Sequence, residues 1–349
     1  LFKTEIIKVD PLNPDPKALR RAAEEIRKGG LVAFPTETVY GLGADAFDPM
    51  AVLRIFKAKE RPPDNPLIVH IAEIEQLGKL TKDVPYLARK LMEKFWPGPL
   101  TLVLPKKRGV PDEVTAGLAT VAVRMPAHPV SLQLIRLAER PIAAPSANLS
   151  GRPSPTLAKH VIDDLYGRID CIIDGGETPF GVESTILDLN RRPPVLLRPG
   201  PLAPEDLEGV IGKIAISEAA IAERPYEGLA EAPGMRYRHY SPKAELILIE
   251  GKKALKTFSE TLEKLIAEGK RVGILTYEEH KKVYPKGAFV ISLGSIENPY
   301  AIAHNLFSSL RKFDEEGVDV IVAEGLPQRG IFFAVNNRLR KASSSIIKG

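Results

Sequence analysis

Three cations crowded ahead of an apolar strand are the clearest sign of chemistry in this sequence. In KAKERPPDNPLIVH, residues 57–70, Lys57, Lys59 and Arg61 sit at the end of a predicted helix that Pro62 and Pro63 stop. Asn65 follows, and a strand delivers His70 at its far end. The segment reads as an anion cradle, although the macrodipole favours cations at any helix C-terminus, so a solvated helix end explains the same charges. Arg124 poses a similar choice. In TVAVRMP, alternation puts Val121, Val123 and Met125 on one face and Ala122 and Arg124 on the other. A guanidinium projecting from mid-sheet needs an anionic partner. An internal Asp or Glu satisfies it, and so does a substrate carboxylate gripped in a two-point fork.

Hydroxyls and small residues gather at other strand ends. FPTETVYGLGADA follows the apolar run Leu31 to Phe34 and supplies Thr36, Glu37, Thr38 and Tyr40, either as a polar turn or as a ligand-facing loop. IAAPSANLSG ends in Ser146, Asn148 and Ser150, with Ser154 before the next helix, and ESTILDL and PVLLRPG contribute Ser184 and Arg198. Each is weak alone. Gathered at the edges of short strands, they describe one polar small-molecule cleft on an α/β sheet.

The elements that must position them are legible in the periodicity. A strand near 5–9 precedes a helix that opens at Asp15-Pro16 and buries Leu19, Ala22, Ala23 and Ile26. MAVLRIFKAKE is expected to bury Val52, Leu53, Ile55 and Phe56; further helices are predicted over 84–95 and 129–138, and LTLVLP and CIIDGG read as strands. From 212 to 243 periodicity fades into a connector too long for one domain. Its PGMRYRHYSP crowds Arg236, Tyr237, Arg238, His239 and Tyr240 together, as a lid on the cleft or as a basic tether. Beyond Ala244, strands alternate with helices to a last helix near 333–342, predicting a small, doubly wound, Rossmann-like parallel sheet. The expected organisation is therefore 1–211, a connector over 212–243, and 244–349, as 349 residues exceed the usual single core.

Composition excludes several classes. No apolar run approaches the roughly 18 residues of a spanning helix, and LFKTEIIKV lacks a secretory h-region, so the expected location is the cytoplasm. One cysteine, Cys171, rules out a disulfide framework and reads as a small core residue. A net charge of +5 suits anionic ligands and is too mild to specify nucleic acid. Proline at 31 residues, with one Cys and four Met, leans toward a thermophile. GLGADA fails the dinucleotide fingerprint and no P-loop occurs. No G-x-S-x-G elbow or H-E-x-x-H is present, and the S-x-x-K at 309–312 lacks its companion motifs.

FPTETVYGLG, KAKERPPDNPL, VAVRMPAHP, APSANLSG and GVESTILDL, in this order, closely resemble the YrdC-like threonylcarbamoyl-AMP synthases. The Lys-x-Arg and Ser-x-Asn marks of that family stand here as Lys59/Arg61 and Ser146/Asn148, and the connector with its trailing domain looks like the family's long form. The resemblance implies a YrdC-like twisted mixed sheet with a concave positive cleft. It also implies a reaction joining L-threonine, bicarbonate and ATP into L-threonylcarbamoyl-AMP and pyrophosphate, the first step of threonylcarbamoyladenosine formation in tRNA. By matched position, Arg124, Thr36 or Thr38, His70, Ala144 through its backbone, and Ser184 are expected around the threonine. Lys59, Arg61, Ser146 and Asn148 are expected on the triphosphate, Asn65, Thr120, Ser154 and Arg198 nearby on the nucleotide, and His239 and Tyr240 closing over it. Lys59, Arg61 and Arg124 are the expected catalytic set. Mg²⁺ is expected mainly on the ATP phosphates, with the product handed to a tRNA threonylcarbamoyl transferase machinery and tRNA contact weak or indirect. Two other classes compete: an RNA-binding module of the same fold without catalysis, and a related carbamoyl-transfer enzyme, whose cysteine-rich zinc segments this chain lacks.

Overall fold

The computed structural model describes residues 3–222, 228, 230–233, 235, 239–251, 254–281, 283–284 and 288–349. Arg236, Tyr237 and Arg238 of the expected lid lie outside the described residues. The first part of the chain runs β1 (Glu5–Lys8), α1 (Pro16–Arg27), β2 (Val32–Phe34), β3 (Gly41–Asp45), α2 (Pro49–Lys59), β4 (Ile68–His70), α3 (Leu77–Leu80) and α4 (Tyr86–Phe95). It continues through β5 (Leu100–Pro105), α5 (Asp112–Thr115), β6 (Thr120–Arg124), α6 (Pro129–Ala138), β7 (Ile142–Ala143), α7 (Ala158–Leu165), β8 (Cys171–Asp174), β9 (Thr185–Asp188), β10 (Val195–Arg198), α8 (Pro204–Ile211), β11 (Ala215–Ile216) and α9 (Glu218–Ile221). The second part runs β12 (Glu245–Glu250), α10 (Ala254–Ala267), β13 (Val272–Thr276), β14 (Phe289–Ser292), α11 (Pro299–Glu316), β15 (Val320–Glu324), α12 (Phe332–Ala342) and β16 (Ser345–Lys348).

Local signals fix the helices that flank the cleft. Asp15 accepts the Lys17 amide and Pro16 opens α1, whose Leu19, Ala22, Ala23 and Ile26 are all buried. Asp48 caps α2 in the same way, accepting the Met50 and Ala51 amides. That helix ends where Glu60 turns left-handed at φ 53° and Arg61 N–H bonds back to Phe56 O at 2.9 Å. Leu53, expected inside, is 38% exposed, because the buried stripe of α2 passes through Val52, Ile55, Phe56 and Lys59 instead.

β1 to β11 form one mixed sheet in the order β1-β8-β2-β3-β7-β4-β6-β5-β9-β10-β11. One face packs α1 and α6 through Leu19, Ile26, Leu134 and Ile135 against Val32 and Cys171. The other packs α2, α4 and α7 through Ile55, Leu91 and Val161 against Val69, Leu102 and Val123. The expected connector opens with regular structure: β11 extends the sheet by pairing parallel with β10, and α9 buries Ala219 and Ala220. These two short elements, of two and four residues, are too brief to show periodicity.

The second sheet, β14-β13-β15-β12-β16, is parallel throughout, as the alternation of strands and helices predicts. Its last strand, β16, follows α12 and is an addition to the predicted elements; SIIK is short and half-exposed, with no alternation to betray it. α10 covers one face and α11 and α12 the other. The two parts are docked: Val39 and Val182 from the first share a core cluster with Ile302, Phe307 and Val335 of the second. Gly181 fits only because it lacks a Cβ, which would meet the His304 backbone at 2.4 Å.

Candidate active site

On the β4–β6–β5–β9–β10 stretch, the face opposite α2 and α4 carries Ile68, Val103, Ala122, Ile186 and Leu197, and is covered by Ala219, Ala232 and Met235. A polar row crosses the strands beside this patch. His70 lies opposite Arg124, Arg124 opposite Thr101, and Thr101 Oγ1 is 2.7 Å from Ser184 Oγ. Arg198 joins by way of a bulge. Leu196 pairs with Leu187 and then, with Leu197 skipped, Arg198 pairs with Ile186, which turns its side chain to the cleft face. There its Nε donates to Ser184 O at 3.0 Å and its Nη2 to Ser184 Oγ at 3.1 Å.

Arg124, 3% exposed, has an internal partner: Nη2 stands 2.7 Å from the Glu37 carboxylate. Nη1 donates to Thr38 Oγ1 at 2.9 Å and Nε to Gly98 O at 3.2 Å. It nonetheless lines the cleft together with Thr36, Thr38, His70, Ala144 and Ser184, so the ion pair and an open side coexist. Thr36 and Thr38 are linked by a 2.8 Å hydroxyl contact. The Ala144 N–H is spent on Ile68 O, so a backbone contact from it to a ligand comes through its carbonyl. Burial, reinforced by Arg124 and Arg198, drives the His70 imidazole down to about 3, so it is neutral at physiological pH and a poor proton acceptor. Its Nδ1 is buried with no hydrogen-bond partner among the described residues, an orphan of the kind a ligand satisfies.

The cations of the Lys57–Arg61 segment divide. Lys57 turns to solvent, Arg61 lines the cleft, and Lys59 is buried directly behind it. Lys59 Nζ donates to the carbonyls of Ser146 and, at 2.6 Å, Asn148, while its own carbonyl accepts from Ser150 N at 2.8 Å. Lys59 and the Ser-x-Asn pair are thus one hydrogen-bonded unit, closed by Ser146 Oγ on Asn148 Oδ1 at 2.5 Å, with Arg61 beside it in the cleft lining. Burial, then neighbouring Arg61, holds the Lys59 ammonium well below its ordinary value. A polyanion beside it restores the charged form, which makes phosphate binding and protonation favour one another.

Ser146, Asn148, Arg198, His239 and Tyr240 also line the cleft. Four expected residues do not. Asn65 is buried behind Arg61, which bonds its carbonyl at 3.2 Å. Ser154 is fully buried and donates to Glu183, and Lys59 lies behind the lining as described. Thr120 stands at the opposite end of β6 from Arg124, roughly 13 Å along the strand. Sequence reasoning passed over Glu183 and named Glu37 only as part of the polar loop, not as the partner of Arg124; they are 6% and 4% exposed, and each is paired with an arginine. Their signal was position: Glu37 between the two threonines of PTET, and Glu183 immediately before Ser184.

Among the described residues no group of three or more His, Cys, Asp or Glu is placed to hold a metal ion, and both cleft carboxylates are already committed to arginines. The cleft holds about 60 Å³ of water-accessible space, room for a water or two, and Pro233, His239 and Tyr240 are part of its lining.

A mixed sheet that sets a neutral histidine and a buried arginine beside a lysine–arginine–serine–asparagine cluster forms one polar, cation-rich cleft on an α/β fold. Residues 24–200 match a family model described as Telomere recombination, and residues 202–344 one described as Threonylcarbamoyl-AMP synthase, C-terminal domain. The threonylcarbamoyl-AMP synthase of Pyrococcus abyssi is 56% identical, with 93% of this chain and 94% of that protein covered. That of Bacillus subtilis is 49% identical, over 96% and 95%. A crystal structure of P. abyssi Sua5 complexed with L-threonine superposes with a TM-score of 0.93 at 55% identity, over 99% of this chain and 100% of that one. A variant of the same protein with an adjacent His and Tyr changed to Ala superposes at 0.91 and 54%, over 99% and 98%. This chain belongs to the threonylcarbamoyl-AMP synthase family, in its two-domain form.

Proposed function

We infer that the protein is an L-threonylcarbamoyl-AMP synthase, joining L-threonine, bicarbonate and ATP into L-threonylcarbamoyl-AMP, pyrophosphate and water. The observation that carries this is the contiguity of the His70–Arg124–Thr101–Ser184 row with the Lys59–Arg61–Ser146–Asn148 unit, in a fold shared with a relative that binds L-threonine. On this reading Arg124 grips the threonine carboxylate, with Thr36, Thr38, His70, Ala144 and Ser184 around the amino acid. Bicarbonate dehydrates to carbon dioxide, the amine nitrogen of threonine adds to its carbon to form an N-carboxylate, and the proton the amine loses leaves with the bicarbonate hydroxyl as water. A carboxylate oxygen then attacks the α-phosphorus of ATP, and the bond to the bridging β-phosphate oxygen breaks as pyrophosphate leaves.

No nucleophilic side chain is required, so the protein aligns two anions and offsets their charge. Neutral His70 serves as a hydrogen-bonding partner rather than a base. Arg61, with Lys59 behind it, offsets the triphosphate; Ser146 and Asn148 orient it, and Asn65, Ser154 and Arg198 support the nucleotide side. Thr120 contacts nucleotide only if the base extends along β6. Mg²⁺ supplies charge neutralisation when it arrives on ATP. His239 and Tyr240, on the 212–243 connector between units 1–211 and 244–349, close over the nucleotide. The product passes to an enzyme that transfers the threonylcarbamoyl group to a tRNA adenosine, with little contact between this protein and the tRNA.

The test is pyrophosphate release from ATP and Mg²⁺ with L-threonine and bicarbonate each present or omitted, and mass analysis of the adenylate. Release that needs both, with threonylcarbamoyl-AMP formed, is the expected outcome. A folded protein that turns over no ATP yet binds RNA in a salt-dependent way refutes it.

A further inference from the structure

The mechanism above takes nothing from the second domain, yet that domain backs two residues of the cleft lining, Glu183 and Tyr240. α12 buries Val335, Leu339 and Ala342 at helical spacing, and Arg338 falls in the same stripe, fully buried. Its side chain leaves its own domain. Nε donates to Glu183 Oε2 at 2.9 Å and Nη1 to Pro199 O at 2.7 Å, and the guanidinium lies over the Tyr240 ring, 5.7 Å from its centre. Glu183 lines the cleft, and its other oxygen takes the Ser154 hydroxyl.

Docking alone does not call for this arginine. Elsewhere the interface is held by Arg311 on Asp164 at 2.8 Å, Thr156 on Ser308 at 2.8 Å, His304 on Glu177 at 3.2 Å and Lys159 on Glu315 at 2.9 Å. What sets Arg338 apart from these contacts is that it pairs, at 2.9 Å, with a carboxylate that lines the cleft. Burial works against the Glu183 anion, but Arg338, Arg198 and the Ser154 bond together hold its carboxyl below the usual range. Tyr240 depends on the same contact. Its backbone is left-handed, φ 63°, a conformation that a bulky residue keeps only when its surroundings impose it. Those surroundings are Arg338 on one side and the Phe307 ring, 5.2 Å away, on another, both from the second domain.

We propose that Arg338 is a positioning residue for nucleotide binding: by neutralising Glu183 and seating Tyr240 it lets the second domain complete the ATP half of the cleft. This rests on the reading of the cleft as an ATP site. Without Arg338, Glu183 loses its 2.9 Å ion pair and is left with the Arg198 charge and the Ser154 bond, so more of its negative charge faces the triphosphate, and Tyr240 loses its platform. Threonine binding, on the Arg124 side, is little affected.

The experiment measures ATP and threonine affinity by calorimetry, and KM and kcat by pyrophosphate release. The full-length proteins are wild type, Arg338→Lys, Arg338→Gln, Arg338→Gln/Glu183→Gln, and the interface control His304→Ala/Glu315→Gln, each with its melting temperature. Arg338→Gln is expected to weaken ATP about tenfold or more, as for a lost charge-assisted contact, with threonine within about twofold. Arg338→Lys should fall between it and wild type. Removing the Glu183 charge as well should recover much of the ATP affinity, and should fold even if Arg338→Gln does not. The control should lower the melting temperature and leave ATP affinity unchanged. Wild-type ATP affinity in every folded Arg338 variant overturns the proposal, as does a double variant no better than the single, or a control that weakens ATP equally. Because calorimetry needs no turnover, a wild type that binds ATP without making the adenylate sinks the proposed reaction and leaves this test intact.

Discussion

Arg124 is both half of a buried ion pair and the group proposed to hold the threonine carboxylate, and the two roles separate under substitution. Arg124→Met leaves Glu37, 4% exposed, as a buried carboxylate without its 2.7 Å partner. Breaking such a pair from one side costs about 3–5 kcal/mol. At roughly 2–4 °C per kcal/mol for a chain of this size class, the melting temperature falls on the order of 10 °C. Arg124→Met/Glu37→Gln removes both charges, and replacing a whole buried pair is close to neutral, so most of that loss should return. Activity should not return. A carboxylate fork is two charge-assisted bonds at about 1.5–3 kcal/mol each, so kcat/KM for threonine falls by roughly 10² to 10⁴ in both variants. Melting by circular dichroism and pyrophosphate release against threonine concentration measure the two effects. A double variant that regains stability and also comes within about threefold of wild-type kcat/KM refutes the substrate role, leaving Arg124 a structural ion-pair residue.

Lys59→Met strips the donor from the Ser146 and Asn148 carbonyls; a stability loss of about 1–3 kcal/mol and a fall in ATP turnover of about 10² or more are expected, with Lys59→Arg failing to rescue because the buried slot fits a single ammonium. His70, held to about 3, and His160, held to about 4, are neutral when folded and titrate normally when unfolded, so their stabilising effect is whole above pH 6.5 and is lost as pH falls toward 3. Denaturant unfolding from pH 7 to pH 4 should show that loss, and His70→Asn should flatten it; an unchanged slope refutes the assignment. EDTA should stop pyrophosphate release and Mg²⁺ in excess of ATP restore it, while calorimetry without ATP finds no saturable Mg²⁺ site; a tight site in the free protein contradicts the view that the ion comes with the nucleotide.

Legibility in the sequence followed the range of the interactions. Capping and periodicity are local, so α1 with its Asp15-Pro16 start, α6 and the parallel second sheet were readable, and strand alternation put Val121 and Val123 in the core and Arg124 opposite. Motif residues converged because strand ends meet along one sheet edge. Charge partners were not readable: Glu37 and Arg124 are 87 residues apart, Glu183 and Arg338 155 apart, and nothing local says which opposite charges will meet. An arginine on the apolar stripe of α12 was the available sign, since a guanidinium is kept there only if something beyond the helix receives it. Lys57, Lys59 and Arg61 looked alike in sequence, and only helical phase with the left-handed turn at Glu60 sends two of them inward.

The left-handed backbone of Tyr240 also bears on timing. On the proposed reading, His239 and Tyr240 close over the nucleotide, so they move aside to admit ATP and again to let the finished adenylate leave. If the shut state were a deep well, release would be slow and the enzyme would idle with product aboard. Holding a tyrosine at φ 63° costs on the order of 1–3 kcal/mol, and on the proposed reading that cost belongs to the shut state. By itself that penalty shifts the open-to-shut ratio by roughly 5- to 150-fold toward open, so the contacts that seat Tyr240 do not hold it as firmly as their number suggests. On that reading, the strain at Tyr240 lets a cleft that shelters a reactive anhydride still release it.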